Sequence, residues 1–123
     1  MKNLNLVEIK AFVPAKDFAR SKNFYQDLGF TMASDIQGTA YFHDGKCSFL
    51  LQDFYEPQHA NNFMMHVLVE DINAWHDQVS SSGVTEKYGV AVTDIVKQPW
   101  GMWDFILHDP SGVLWRFGQN IEC

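Results

Sequence analysis

Two stretches of the chain carry apolar residues at helical spacing between matching punctuation. From Asp17 to Leu28, Phe18, Tyr25 and Leu28 recur near the 3.6-residue period with Phe24 beside them, and Gly29 follows. From Asp71 to Ser82, Ile72, Trp75 and Val79 do the same, and Gly83 follows. An Asp at the start accepts the free backbone N–H groups of a first turn, and a Gly just past the end tolerates the left-handed conformation that closes a helix. The pattern predicts two helices. Both starts and both stops are separated by the same 54 positions, which marks a duplicated unit.

Around the helices the period changes to two. Leu6–Val13 alternates as a strand does and ends at Pro14, and Phe63–Val69 stands in the same place before the second helix. After the first helix, strands are predicted over Phe30–Ile36, Thr39–His43 and Lys46–Gln52, with Asp44-Gly45 as a hairpin turn. After the second, they are predicted over Thr85–Val92, Thr93–Gln98, Met102–His108 and Val113–Gln119. Asp109-Pro110-Ser111-Gly112 makes the last turn. The chain reads as one α+β domain over 1–123, built from a βαβββ module at 5–52, a polar linker at 53–62 and a second module at 63–119.

Composition narrows the function classes. With 46% apolar and 20% charged residues the chain has the make-up of an ordinary soluble domain. No run of ~18 apolar residues is present to span a membrane. Met1–Asn5 lacks the apolar core of a secretory signal, so a cytoplasmic location is expected. Cys47 and Cys123 form no CxxC and read as free thiols, Cys47 as a small buried hydrophobe within a strand. Nine scattered Lys and Arg against a net charge of −6 argue against nucleic acid and are compatible with small cationic ligands.

Asp17-Phe18-Ala19-Arg20-Ser21-Lys22-Asn23-Phe24-Tyr25-Gln26-Asp27-Leu28-Gly29-Phe30 resembles the D-x-x-x-S-x-x-F-Y-x-x-L-G-F signature of the glyoxalase/bleomycin-resistance/extradiol dioxygenase superfamily, the vicinal oxygen chelate proteins. Val69-Glu70-Asp71-Ile72 looks like the start of that family's second helix. Asp109-Pro110-Ser111-Gly112-Val113-Leu114-Trp115-Arg116-Phe117 is similar to its closing D-P-x-G-x-x-x-E-F hairpin, except at one position. The resemblance covers nearly the whole chain. It implies two βαβββ modules whose eight strands form a curved mixed sheet around a cavity, helices on the outer face, often in a homodimer that completes two cavities.

Metal-dependent members of that family take four ligands, usually His, Gln or Glu, from the first and last strands of each module. The equivalent positions here fall on Lys10, on Leu50 or Gln52, on Met64 and on Arg116. Protonated Lys and Arg cannot ligate and repel a divalent ion, so no metal or other cofactor is expected. A replacement site from His66, Glu8 and Gln52 is the alternative, weighed against hydrogen-bonded polar residues in a cavity. His43, His59 and His108 lie near turns, linker or strand ends and are expected in solvent, as is His76 on its helix. Ser80-Ser81-Ser82 reads as a helix end, and no GxSxG, HExxH, P-loop or GxGxxG occurs.

Aromatic residues make up 15% of the chain, and Gln98-Pro99-Trp100-Gly101-Met102-Trp103-Asp104 is their most unusual setting. Indole faces attract flat or cationic ligands, and Asp104 is placed to neutralise a positive charge. Trp100, Trp103 and Asp104 are therefore expected to touch a ligand, with His66, Lys10 and Arg116 setting the polarity of the cavity floor. Tyr41 and Phe42 straddle the two faces of one strand, so one of them is expected to line the cavity, and Phe42 joins the candidates. Trp115 alternates with Arg116 and is expected to face the helices as core, and Trp75 to serve core or interface.

The ending Val113-Leu114-Trp115-Arg116-Phe117-Gly118-Gln119 looks like the metal-free bleomycin-resistance branch. That resemblance implies a homodimeric antibiotic-resistance type of protein that sequesters a bulky, possibly cationic aromatic compound without chemistry. The alternative is an enzyme of the same superfamily, a lyase, isomerase or transferase with an atypical or absent metal site. A third reading is an interaction protein whose cavity is vestigial.

Overall fold

The computed structural model describes residues 2–122, so Cys123 lies outside the described residues. The first half runs β1 (Phe12–Pro14), α1 (Phe18–Leu28), β2 (Thr31–Ile36), β3 (Thr39–Asp44) and β4 (Cys47–Gln52). After α2 (Pro57–Asn61) the second half runs β5 (Met64–Leu68), α3 (Ile72–Ser82), α4 (Val84–Tyr88), β6 (Val96–Gln98), β7 (Met102–His108) and β8 (Leu114–Asn120). The strands form two four-stranded mixed sheets ordered β1-β4-β3-β2 and β5-β8-β7-β6. Each has one parallel pair, β1 with β4 and β5 with β8, because a helix separates the first strand of each half from the rest.

The two long helices start and stop where the pattern places them. Asp17 accepts from Arg20 N at 3.1 Å and Asp71 from Ala74 N at 3.0 Å. Gly83 closes α3 with φ 78°, a conformation that a β-carbon would strain. Elsewhere the structure departs from the pattern. The linker folds into α2, with Glu56 capping its start and Pro57 in its first turn. Thr85–Val92 is not a strand: α4 occupies its first part, and only Val92 makes a bridge, to Leu107. Val84 and Tyr88, one helical turn apart, supply the buried side of α4. The first strand is shorter than expected, since β1 begins at Phe12 and residues 4–9 belong to no strand. Cys47, expected as a buried hydrophobe, is exposed at the start of β4.

One face of each sheet is covered by helices and the other is open. The covered faces and helices share a single apolar core, which includes Phe24, Phe42, Phe49, Phe105, Trp115 and Phe117. A buried polar clasp ties the halves together inside it. Tyr25 Oη donates to Asp109 Oδ2 at 2.5 Å and accepts from Trp115 Nε1 at 2.8 Å. Asp109 Oδ1 accepts the backbone N–H groups of Ser111 and Val113, each at 2.9 Å, which folds the Asp-Pro-Ser-Gly turn. Ser111 Oγ in turn accepts from Lys16 N at 2.8 Å and lies 3.3 Å from Ser21 Oγ.

The most recognisable residues of both sequence motifs are therefore structural. Burial pushes the Tyr25 hydroxyl well above its usual range, with the Asp109 charge adding to it. Burial also raises the Asp109 carboxyl, against the hydrogen bonds from Tyr25 and the turn. Trp115 faces the helices as expected, and Trp75 packs at the core edge against Phe30 and Phe117. His76 differs from its expectation: half-buried, it sets its ring edge-on to Phe105, and its Nε2 lies 3.0 Å from Thr93 O.

Candidate functional site

Strand pairing fixes which side chains share the open face of the second sheet. Asp104 lies opposite Gly118, and Ile106 opposite Arg116. On the other side of β8, Met64, His66 and Leu68 lie beside Leu114, Arg116 and Gly118. Because successive residues of a strand alternate, these positions face away from the helices, while Trp103, Phe105, Leu107, Trp115 and Phe117 face toward them.

An ion pair sits at the centre of this face. Arg116 Nη1 donates to Asp104 Oδ2 at 2.8 Å, and Gln98 Nε2 donates to Asp104 Oδ1 at 2.9 Å. The Asp104 side chain is nearly enclosed, at 3% exposure, with both carboxylate oxygens engaged. It anchors Arg116 on this face. Trp100, in the turn between β6 and β7, is 59% exposed, and its ring centre lies 5.9 Å from the Arg116 guanidinium carbon. Met64 and Leu68 add exposed apolar surface at 54% and 60%.

His66, exposed, completes the group. Its ring settles over Gly118, where a β-carbon would meet Met102 Cε at 2.8 Å and His66 Nε2 at 3.1 Å. Glycine here keeps both side chains down on the sheet. Gly118→Ala is expected to displace the Met102 and His66 tips at a cost of about 1 kcal/mol, because flexible side-chain ends can yield. Thermal unfolding of the variant beside the wild type measures that cost.

Other candidates lie elsewhere. Trp103 is on the covered side, with the Lys97 ammonium 5.8 Å from its ring centre, beside a separate cavity of about 230 Å³ lined with Ile72, Asn73, Ile95 and Gln119. Period-two alternation from Asp104 already places Trp103 on the opposite face. Phe42 is fully buried, stacked on Phe49 at 5.3 Å between ring centres. Its neighbour Tyr41 is the residue on the open face of the first sheet. Lys10 lies beside that face too, its ammonium 5.4 Å from the Tyr41 ring centre and 3.7 Å from Glu8 Oε2.

Glu8 accepts from Tyr41 Oη at 2.8 Å and from Ser48 Oγ, and these hydroxyls hold its carboxyl below the usual range. Trp100, His66, Arg116 and Asp104 thus form one group on the second sheet, with Lys10 near the first. Met64, Leu68 and Gln98 are face residues outside the set of ligand contacts expected from sequence, although the same alternation points to them.

At the positions equivalent to the family's ligands, Lys10 and Arg116 are held in ion pairs, Met64 offers only a thioether, and Leu50 has no donor atom, or Gln52 in the shifted register offers one amide oxygen, a poor set for a divalent ion. Among the described residues no three His, Cys, Asp or Glu side chains are grouped as a metal site. Among the described residues no helix is long and apolar enough to cross a membrane.

Two βαβββ-type halves, each with one sheet face left open, make up the chain. The chain belongs to the Glyoxalase/Bleomycin resistance protein/Dioxygenase superfamily, whose family model matches residues 6–117. A bleomycin-binding protein solved in complex with bleomycin is similar over 92% of this chain and 98% of its own, at 25% identity and a TM-score of 0.80. The bleomycin-binding protein of the bleomycin producer Streptomyces verticillus, solved with copper(II)-bleomycin, matches over 98% of this chain and 100% of its own, at 19% identity and a TM-score of 0.77. A lactoylglutathione lyase from Agrobacterium tumefaciens matches over 91% and 92%, at 19% identity and a TM-score of 0.65. A search of curated protein sequences returned no match.

Proposed function

We propose that this protein binds and sequesters a bulky aromatic compound without a metal, on the open face of its second sheet. The observation that carries this reading is Trp100, an indole more than half exposed whose ring centre lies 5.9 Å from the guanidinium carbon of the anchored Arg116, at the sheet face that also carries His66, Met64 and Leu68. An exposed indole in a mostly apolar setting gives a flat molecule a stacking surface, and the overall charge of −6 favours a cationic one. Similarity to antibiotic-binding structures supports the same reading.

On this reading the modules 5–52 and 63–119, joined by 53–62, contribute unlike faces. The second sheet carries the Asp104–Arg116 pair and Trp100, and the first carries Tyr41, Ser48 and the Glu8–Lys10 pair. Within one chain these faces belong to different sheets, so a homodimer closes the first face of one copy over the second face of the other. The protein acts in the cytoplasm and releases its ligand unchanged. Titrating tryptophan fluorescence with bleomycin, and separately with acridine-type cations, tests this. Saturable quenching by at least one probe, with the compound recovered intact, is expected. No quenching by any probe, or turnover of the compound, contradicts the reading.

A further inference from the structure

Trp103 is the indole of the Gln98–Asp104 segment that the open face leaves unused, and it is still 38% exposed. Strand register sets its surroundings. Trp103 lies opposite Lys97 of β6 on one side and Gln119 of β8 on the other, so the three side chains form one row across the helix side of the second sheet. The start of α3 meets this row. Gln119 Oε1 accepts from Ile72 N at 2.8 Å, which ties the helix to the strand. Between them is the cavity of about 230 Å³, lined with Ile72, Asn73, Ile95, Trp103 and Gln119.

The lining selects an occupant by size, shape and charge. The volume falls below the roughly 300–1,000 Å³ of sites for drug-sized molecules, so it admits a single ring and excludes the bulky compound of the open face. The Trp103 ring gives an aromatic molecule a stacking wall, and Ile72 and Ile95 add apolar surface. The polar groups at hand are donors. With Gln119 Oε1 committed to Ile72 N, the Nε2 end of that amide is left to donate. The Asn73 amide makes no hydrogen bond among the described residues. Lys97, its ammonium 5.8 Å from the Trp103 ring centre, has no ion-pair partner among them. None of the lining residues is a carboxylate, and Asp71, next to Ile72, has an oxygen engaged by Ala74 N at 3.0 Å. Amide donors and an unpaired cation at the border of an apolar cavity match a ring that bears an acid group.

We propose that this cavity is a second binding site that takes a one-ring aromatic carboxylate, its ring against Trp103 and its acid group toward Lys97 and the amides of Asn73 and Gln119. Trp103 and Asp104 are neighbours on β7 and face opposite sides of the sheet, so the site is separate from the open face. It stands whether or not that face sequesters an aromatic compound.

Titration with benzoate, followed in proton–nitrogen correlation spectra, tests the site. The indole N–H signals of Trp100 and Trp103 are assigned by their loss in Trp100→Phe and Trp103→Phe. Saturable movement of the Trp103 signal is expected, with the Trp100 signal still. Lys97→Met, at an exposed strand position, should keep the fold and weaken benzoate at least tenfold, while benzamide, the uncharged counterpart, binds both proteins alike. No saturable movement of the Trp103 signal, movement of the Trp100 signal in its place, or benzylamine binding as tightly as benzoate overturns the proposal. So does a Lys97→Met protein that binds benzoate as the wild type does. Failure of the open-face reading would leave these outcomes unchanged, because they follow Trp103 and not Trp100.

Discussion

Asp109→Ala is expected to destabilise the fold by about 3 kcal/mol, a fall in Tm of roughly 10 °C. The substitution removes the acceptor of Tyr25 Oη and of two turn N–H groups at once, in a place the solvent does not reach. Unpaired buried donors lose the full cost of their desolvation, which exceeds the net worth of the bonds themselves. Thermal unfolding by circular dichroism measures the effect, and a loss below about 1 kcal/mol contradicts the clasp.

The pH dependence has a definite sign. Burial raises the Asp109 carboxyl above its unfolded value, so the folded state binds the proton more tightly than the unfolded state. The associated stability is fully present below about pH 4 and is lost as pH rises through the raised folded value. Asp109→Asn, which does not titrate, should therefore gain on the wild type as pH rises from about 4 upward. A constant difference between the two proteins across that range contradicts a raised carboxyl.

Trp100→Ala is expected to weaken ligand binding by about tenfold to thirtyfold, while Trp103→Ala leaves it nearly unchanged. The figure follows from the ~2 kcal/mol that an indole contributes to a stacked or cationic partner. The two tryptophans stand three positions apart, but Trp100 stands over Arg116 at the open face and Trp103 packs on the helix side near Ile72. Paired titrations of the two variants separate the assignment of the face from a general role of the segment. Equal losses in both would place the ligand somewhere other than the open face.

Much of the fold is legible in residue order alone. The Asp and Gly punctuation of α1 and α3, the 54-residue repeat and the Asp-Pro-Ser-Gly turn are local signals, and local chemistry decides them. The side of the sheet on which Trp115 lies follows from alternation, and alternation equally puts Trp103 on the side opposite Asp104. Thr85–Val92 reads as a strand because Val, Thr and Tyr favour strands. Gly83 and Gly89 instead bracket a single helical stretch there, and the Val84–Tyr88 spacing buries one side of it.

Long-range partners are not legible in the same way. That Asp104 is committed to Arg116 depends on the register of β7 against β8, and that Phe42 rather than Tyr41 enters the core depends on which face α1 covers. The exposure of residues 4–9 is a property of how far β1 follows β4, which no local pattern sets.

Metal-free sequestration on the open face is tested most directly by calorimetric titration of the EDTA-treated protein with metal-free bleomycin and with an acridine-type cation. Saturable binding of at least one compound is expected, with affinity unchanged by chelator and reduced at least tenfold in Trp100→Ala. Binding that emerges only when a divalent metal is restored, or that Trp100→Ala leaves intact, would contradict it.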